Sequence, residues 1–329
     1  MKKVFALVLV AAIIIASVMA NGAQEAASSG AEFKPSKSIS WYCSSKPGSA
    51  ADRFTRKVQG VIDETGALDK ATIVVENVTD GSGAVNWKRM QSLSQSDADH
   101  TLLTLNLGDV TTMLDNTQFR VKDFKVVATM AQDKKFLYVS KSAPFNDFDG
   151  FVEYLKNNDV ILGGGKADDN VMFNFLKQKV DKNDHLSYLQ TGDTAGTLQA
   201  VLGNQVYLGI GKLGTLKDYL ASGELKAIVT EGTSRMSGVL SEVPTFAEKG
   251  YEGMDFIQTR CVVAAKNISD SAYKYYCDAF KKVATSQEFL DAYVNVYQAS
   301  ALDLVGADAQ AYLEAAEKNV IDAGISGKQ

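Results

Sequence analysis

Three glycine patterns in this chain have the residue types that hold phosphates. The sharpest is Gly209-Ile210-Gly211-Lys212-Leu213-Gly214. It fits G-x-G-x-x-G, follows a strand-like run and has Glu231 about twenty residues on, at the end of the next run. Such glycines let a backbone approach a pyrophosphate while the acid holds a ribose hydroxyl. Against that chemistry, the helix after Gly214 is short, ending near Gly223, and the motif lies deep in the chain rather than in a leading βαβ unit. Glycines admitting some other close approach are the better reading. Gly163-Gly164-Gly165-Lys166 fails as a phosphate loop. Val160 holds its first glycine position, and Ala167 stands where Ser or Thr would reach magnesium. Gly81-Ser82-Gly83 lacks the third glycine.

Hydrolytic and metal chemistry find no support. There is no G-x-S-x-G elbow and no H-E-x-x-H helix. The two histidines, His100 and His185, stand alone beside strand starts and read as structural or surface residues rather than bases. Neither has a cysteine at metal-ligand spacing. Asp168-Asp169 reads as an acidic first turn complementing a helix dipole. Cys43, Cys261 and Cys277 read as small buried hydrophobes, with one disulfide open as the alternative. No cofactor, metal or catalytic residue is expected.

One loop type does recur. Ser44–Asp52, Thr79–Gly83, Asn106–Asp109, Gly163–Asn170 and Gln190–Thr194 are rich in Gly, Ser, Thr and Asn, and each lies where a strand gives way to a helix. In open α/β sheets ligands bind outside the carboxyl ends of the strands, and helix N-termini there offer free N–H groups to anions. Ordinary turn chemistry would use the same residues.

The elements carrying these loops alternate. Ile39–Cys43 reads as a strand. Ala51, Phe54, Val58, Val61 and Ile62 then share a helical face that Gly66 stops. Strands are expected at 72–75, 101–105, 126–131, 136–139, 160–162, 187–189, 206–210 and 225–230, with helices at about 84–94, after Asp147 and near 170–179. The last seventy residues read as mostly helical, with Ser269, Ser286 and Asp308 as N-caps and Gly324 as a stop. Repeated β-then-α units point to parallel sheets with helices on both faces, and 329 residues suit two of them.

Composition sets the class. With 46% hydrophobic and 22% charged residues the chain can bury a core. A net charge of −5 removes a global basic footprint for nucleic acid. Lys2 and Lys3 precede an apolar run from Val4 to Met19 and a small-residue exit at Ala20–Ala23. That order is a secretory signal, with an uncleaved anchor as the alternative. No cysteine precedes Cys43, so a lipid-modified N-terminus is not expected. The expected organisation begins with a signal peptide at 1–23 and a linker at 24–34.

At the loops the sequence resembles the substrate-binding proteins of tripartite tricarboxylate transporters, the Bug or TctC-like receptors, from about Pro35 to Gly324. The family's P-G-G-x-x-D loop reads here Pro47-Gly48-Ser49-Ala50-Ala51-Asp52, and its V-V-E-N reads Val74-Val75-Glu76-Asn77. Its D-G-Y-T-L-L resembles Asp99-His100-Thr101-Leu102-Leu103, and its L-L-G-G-x-V resembles Val201-Leu202-Gly203-Asn204-Gln205-Val206. Gly223-Glu224-Leu225-Lys226-Ala227-Ile228-Val229-Thr230 matches G-K-L-R-A-L-A-V-T, and Val243-Pro244-Thr245-Phe246-Ala247-Glu248-Lys249-Gly250 matches V-P-T-x-x-E-x-G without a break.

The resemblance implies a two-lobed, type II-like periplasmic-binding-protein fold. Each lobe would be a mainly parallel sheet flanked by helices, with crossovers near Gln132 and Ile257. Lobe 1 would be 35–132 plus 258–329, and lobe 2 would be 133–257. A small organic anion, a carboxylate, would sit between them in a monomeric periplasmic receptor serving a permease of one large and one small subunit. The ligand residues implied are Ser45, Ser49, Ala50, Asp52, Asn106 and Asp109 from the first lobe, and Gly165, Lys166, Asn170, Gln190 and Thr191 from the second. Departures fall in these loops. Ser49 replaces a glycine, Val78-Thr79-Asp80 replace Arg-Pro-Gly, Leu189-Gln190 replace Lys-Gly, and Tyr207 stands for Asp. Thr259-Arg260-Cys261 stand for Trp-Arg-Gly, and Asn267 for a proline. Lys166 or Lys212 could supply a counter-charge or remain solvated. The alternatives are a binding protein of an ABC-type importer, a ligand sensor feeding a kinase, and a secreted Rossmann-type enzyme.

Overall fold

Eleven strands form two sheets in the computed structural model, which describes residues 32–322 apart from 166, 182, 237 and 298. The expected signal peptide, Lys166 and Gly324 lie outside the described residues. The first sheet holds β1 (Ile39–Cys43), β2 (Ile73–Asn77), β3 (Thr101–Asn106), β4 (Phe124–Asp133), β10 (Gln258–Ala265) and β11 (Ser300–Val305), in the order β11-β4-β10-β3-β1-β2. The second holds β5 (Lys135–Ser140), β6 (Val160–Gly164), β7 (Leu186–Gln190), β8 (Leu208–Lys212) and β9 (Leu225–Thr230), in the order β7-β6-β8-β5-β9.

Local chemistry explains the first unit. Ile39, Trp41 and Cys43 alternate inward along β1. The helix Ala50–Thr65 opens on Ser49, whose side chain accepts from the Asp52 N–H, and ends on Gly66 at φ 66°. Its Phe54, Val58, Val61 and Ile62 are buried, as the spacing predicts. Strands β3 and β10, at the centre of the sheet, are buried at every position. In the second sheet Phe136, Tyr138, Leu198, Val201, Leu213 and Leu216 build one core. Ser269 and Ser286 cap helices as read from the sequence.

Two expectations change, and some strands run against the rest. Pairing is parallel for β1 with β2 and β3, and for β6 with β7 and β8, whereas β4, β5, β9, β10 and β11 run antiparallel to their neighbours. Four strands of each sheet still share one direction, as expected, while β10 and β11 are reversed in the first sheet and β5 in the second. β5 and β10 are the strands entered at the two passages: the chain leaving one sheet enters the next against its βαβ direction. The strand expected at 206–210 lies at Leu208–Lys212. Asp308 is in the first turn of the helix Gly306–Asp322 and does not cap it.

The chain passes from the first sheet to the second at Lys134 and returns between Thr230 and Gln258. Both sheets belong to one compact unit beginning at Pro35.

Candidate functional site

Register gathers the first group of loops. Cys43 lies opposite both Asn77 and Thr104, so the segments after β1, β2 and β3 leave the sheet at one edge. The loop after β1 is tied down by Asp52, which is only 3% exposed. Its carboxylate accepts from the Gly48 N–H at 2.8 Å, from Asn77 Nδ2 at 2.9 Å and from Arg56 Nε at 2.9 Å. Burial disfavours the charge, but these donors outweigh it and hold the acid below its ordinary pKa. Asp52 thus shapes the loop that carries Ser45, Ser49 and Ala50. Asn77 also donates to the Ser45 carbonyl at 2.9 Å, and Asn86 donates to Ser44 Oγ at 3.0 Å.

The loop after β3 is braced from strand β10. Asp109 accepts from the Asn106 N–H at 2.8 Å and from Asn106 Nδ2 at 3.1 Å, closing the N-terminus of the helix Leu107–Asn116. Arg260 Nη1 donates to Asn106 Oδ1 at 3.0 Å, and Gln258 Oε1 accepts from the Gly108 N–H at 3.0 Å. Arg260 is 3% exposed and also pairs with Asp133. Burial opposes its charge, and Asp133 and Tyr293 more than restore it, so its pKa lies above the usual value. Among the described residues Arg260 Nε has no partner.

The second group sits at the matching edge of the second sheet. Gly164 pairs with Gln190, and Leu162 with Leu208, so Gly165, Thr191 and Lys212 emerge together. Asp169 Oδ2 accepts from the Gly165 N–H at 2.7 Å, and Asp169 Oδ1 lies 3.5 Å from Lys135 Nζ. Thr191 donates its N–H to the Gly164 carbonyl at 2.8 Å, and its hydroxyl meets that of Thr197 at 2.6 Å. Gln190 is exposed at the end of an edge strand, and Asn170 is half-buried in the helix Ala167–Lys179. That helix packs against Leu107–Asn116, which brings the Asn106 and Gly165 loops to neighbouring helices. The glycine run is explained by crowding: a Cβ on Gly165 would stand 2.7 Å from Asp193 Cα.

Sequence reading missed Asn77, Arg56, Lys135 and Glu231 as site builders. Arg56 stands four residues after Asp52, a helical ion-pair spacing that was available. Glu231, the acid at the ribose position of the glycine pattern, is fully buried and accepts from the Lys135 N–H at 2.8 Å. His100 binds the Ser36 N–H at 3.1 Å, a structural use. Among the described residues no cluster of three or more His, Cys, Asp or Glu side chains is placed to hold a metal.

Two helix-flanked sheets joined by two passages, with hydroxyl- and glycine-rich loops at the strand ends, define a two-lobed solute-binding-protein fold. The chain belongs to the TctC family, the tripartite tricarboxylate transporter family receptors, whose profile matches residues 56–324. Its fold resembles a TctC solute-binding protein from Polaromonas without ligand (TM-score 0.74, 18% identity, 90% of this chain and 100% of that one). It also resembles MatC from Rhodopseudomonas palustris with bound malate (TM-score 0.66, 18% identity, 89% and 99%). A third relative, Rpa4515 of R. palustris, carries adipate (TM-score 0.67, 19% identity, 88% and 98%). No curated protein matches the sequence.

Proposed function

We propose that this protein is a periplasmic receptor that captures a small organic carboxylate between two lobes and delivers it to a tripartite membrane permease. The family match over 56–324 carries this reading. Malate and adipate, bound by two structural relatives, are both dicarboxylates, which supports a carboxylate here.

The lobes are 35–132 with 258–329, and 133–257. The solute contacts come from Ser45, Ser49, Ala50, Asn106, Gly165, Lys166, Asn170, Gln190 and Thr191. Asp52 and Asp109, whose carboxylates are engaged within their own loops, hold those contacts in place. Backbone N–H groups and hydroxyls do the binding in a desolvated cleft. The protein binds rather than catalyses. Residues 1–23 are a signal peptide, and the mature protein is a monomer.

The test is thermal unfolding of residues 24–329, refolded to strip bound solute, against mono-, di- and tricarboxylates, aromatic acids, amino acids, sugars and nicotinamide cofactors. A solute at ~100 times its dissociation constant adds about 2.7 kcal/mol, a shift of a few degrees. Stabilisation confined to carboxylates is expected; stabilisation by sugars or cofactors alone overturns the reading.

A further inference from the structure

Asp133, Lys134 and Lys135 carry the chain from the first sheet to the second. The outer two have opposite charges and buried partners. The Asp133 carboxylate meets Arg260 with side-chain exposures of 11% and 3%, and Lys135, with no exposure, faces Asp169 at 3.5 Å. Each partner continues to a candidate binding loop. Arg260 Nη1 donates to Asn106 Oδ1 at 3.0 Å, and Asp169 Oδ2 accepts from the Gly165 N–H at 2.7 Å. The helices that follow these loops, Leu107–Asn116 and Ala167–Lys179, pack on each other. The contacts therefore close a circuit: Asn106, Arg260, Asp133, Lys135, Asp169, Gly165, and back through the two helices.

We propose that Arg260 and Asp169 are positioning residues that couple the Asn106 loop of one sheet to the Gly165 loop of the other through the Asp133-Lys134-Lys135 link. Buried ion pairs add little net stability, but separating the partners leaves an uncompensated charge out of water. Each pair therefore penalises movement of its loop relative to the link. Because the link is three residues long, a shift in one sheet is felt in the other. A solute gripping one loop thereby orders the other before touching it. This consequence rests on the receptor reading; the coupling is a property of the solute-free chain.

Amide hydrogen exchange on mature full-length protein without solute tests it, followed in peptides covering 104–112, 162–172 and, as a control, 54–62. Arg260→Lys keeps a cation for Asp133 and loses the fork to Asn106. Asp169→Asn keeps an acceptor for Gly165 and removes the charge facing Lys135. Each is expected to speed exchange about tenfold in its own loop, as when one buried charged hydrogen bond is weakened, and several-fold in the other loop. The control keeps its wild-type rate, and the double variant falls short of the product of the two. Acceleration confined to the substituted residue's own loop overturns the proposal, and so does equal acceleration in the control. Should Asp169→Asn not fold, Lys135→Met interrogates the same link with an apolar chain. With no solute present, failure here leaves the receptor reading untouched, and a failed solute screen leaves the coupling untouched.

Discussion

The ring of Tyr138 on β5 lies across Gly209 on β8, so close that a Cβ at Gly209 would stand 2.6 Å from Tyr138 Cζ. Gly211 faces the same ring, with a would-be Cβ 2.9 Å from Tyr138 Cε1. The glycines that mimic a dinucleotide fingerprint thus make room for a cross-strand aromatic. Gly209→Ala should destabilise the protein by about 1–3 kcal/mol through overpacking, read as a lower midpoint in urea. Tyr138 Oη has no partner among the described residues, so Tyr138→Phe should be neutral or slightly stabilising. Loss of stability in Tyr138→Phe comparable to that of Gly209→Ala would contradict this account.

Asp52 makes the first loop sensitive to acid. Its folded pKa is depressed below 3.8, with burial opposing and the Gly48 N–H, Asn77 and Arg56 prevailing. A depressed acid contributes stability that is complete above its unfolded pKa and disappears as pH falls through the folded value. Asp52→Asn should therefore lower stability at pH 7 and lose less between pH 5 and pH 2 than wild type, narrowing the gap between them. Parallel stability curves for the two proteins over that range would show that the carboxylate is not the group being titrated.

Trp41 Nε1 donates to Thr104 Oγ1 at 2.9 Å, and Thr104 shares a 2.6 Å contact with Thr55 on the helix that follows the first loop. All three are buried, so the network fixes that helix against the strands. Thr104→Val keeps the shape and strands the indole N–H. It should cost about 1–3 kcal/mol, the penalty of an unsatisfied buried donor. A chemical-denaturation midpoint equal to wild type would mean that the indole N–H finds another partner.

What the sequence disclosed was local. Ile39–Cys43, the helix stopped by Gly66 and the caps at Ser269 and Ser286 follow from residue period and terminal chemistry within a few positions. The candidate loops are visible because glycine and hydroxyl residues cluster where strand period changes to helix period. The bonds that shape those loops could not be read. Arg260 and Asn106 are 154 residues apart, and only the antiparallel register of β10 on β3 brings them together. Strand β11 escaped because Ser300–Val305 has no buried apolar run of its own and exists by pairing with β4. The strand expected at 206–210 lies two residues further on because Gly211, a poor strand former, makes room for both Leu216 and the Tyr138 ring.

Cysteine chemistry gives the last prediction. Cys43, Cys261 and Cys277 are all free and buried, which settles the alternative of a disulfide. Burial pushes their thiols up to about 11, about 12 and about 11 respectively. At pH 8 almost none of each is thiolate, the form that attacks electrophiles. Iodoacetamide at pH 8 should leave the folded protein unmodified for hours and add three labels, counted by intact mass, once guanidinium unfolds it. Reductant should leave the melting temperature unchanged. Rapid labelling of one cysteine in the folded protein would mean that its surroundings open far more often than the whole chain does, and the labelled position would identify where.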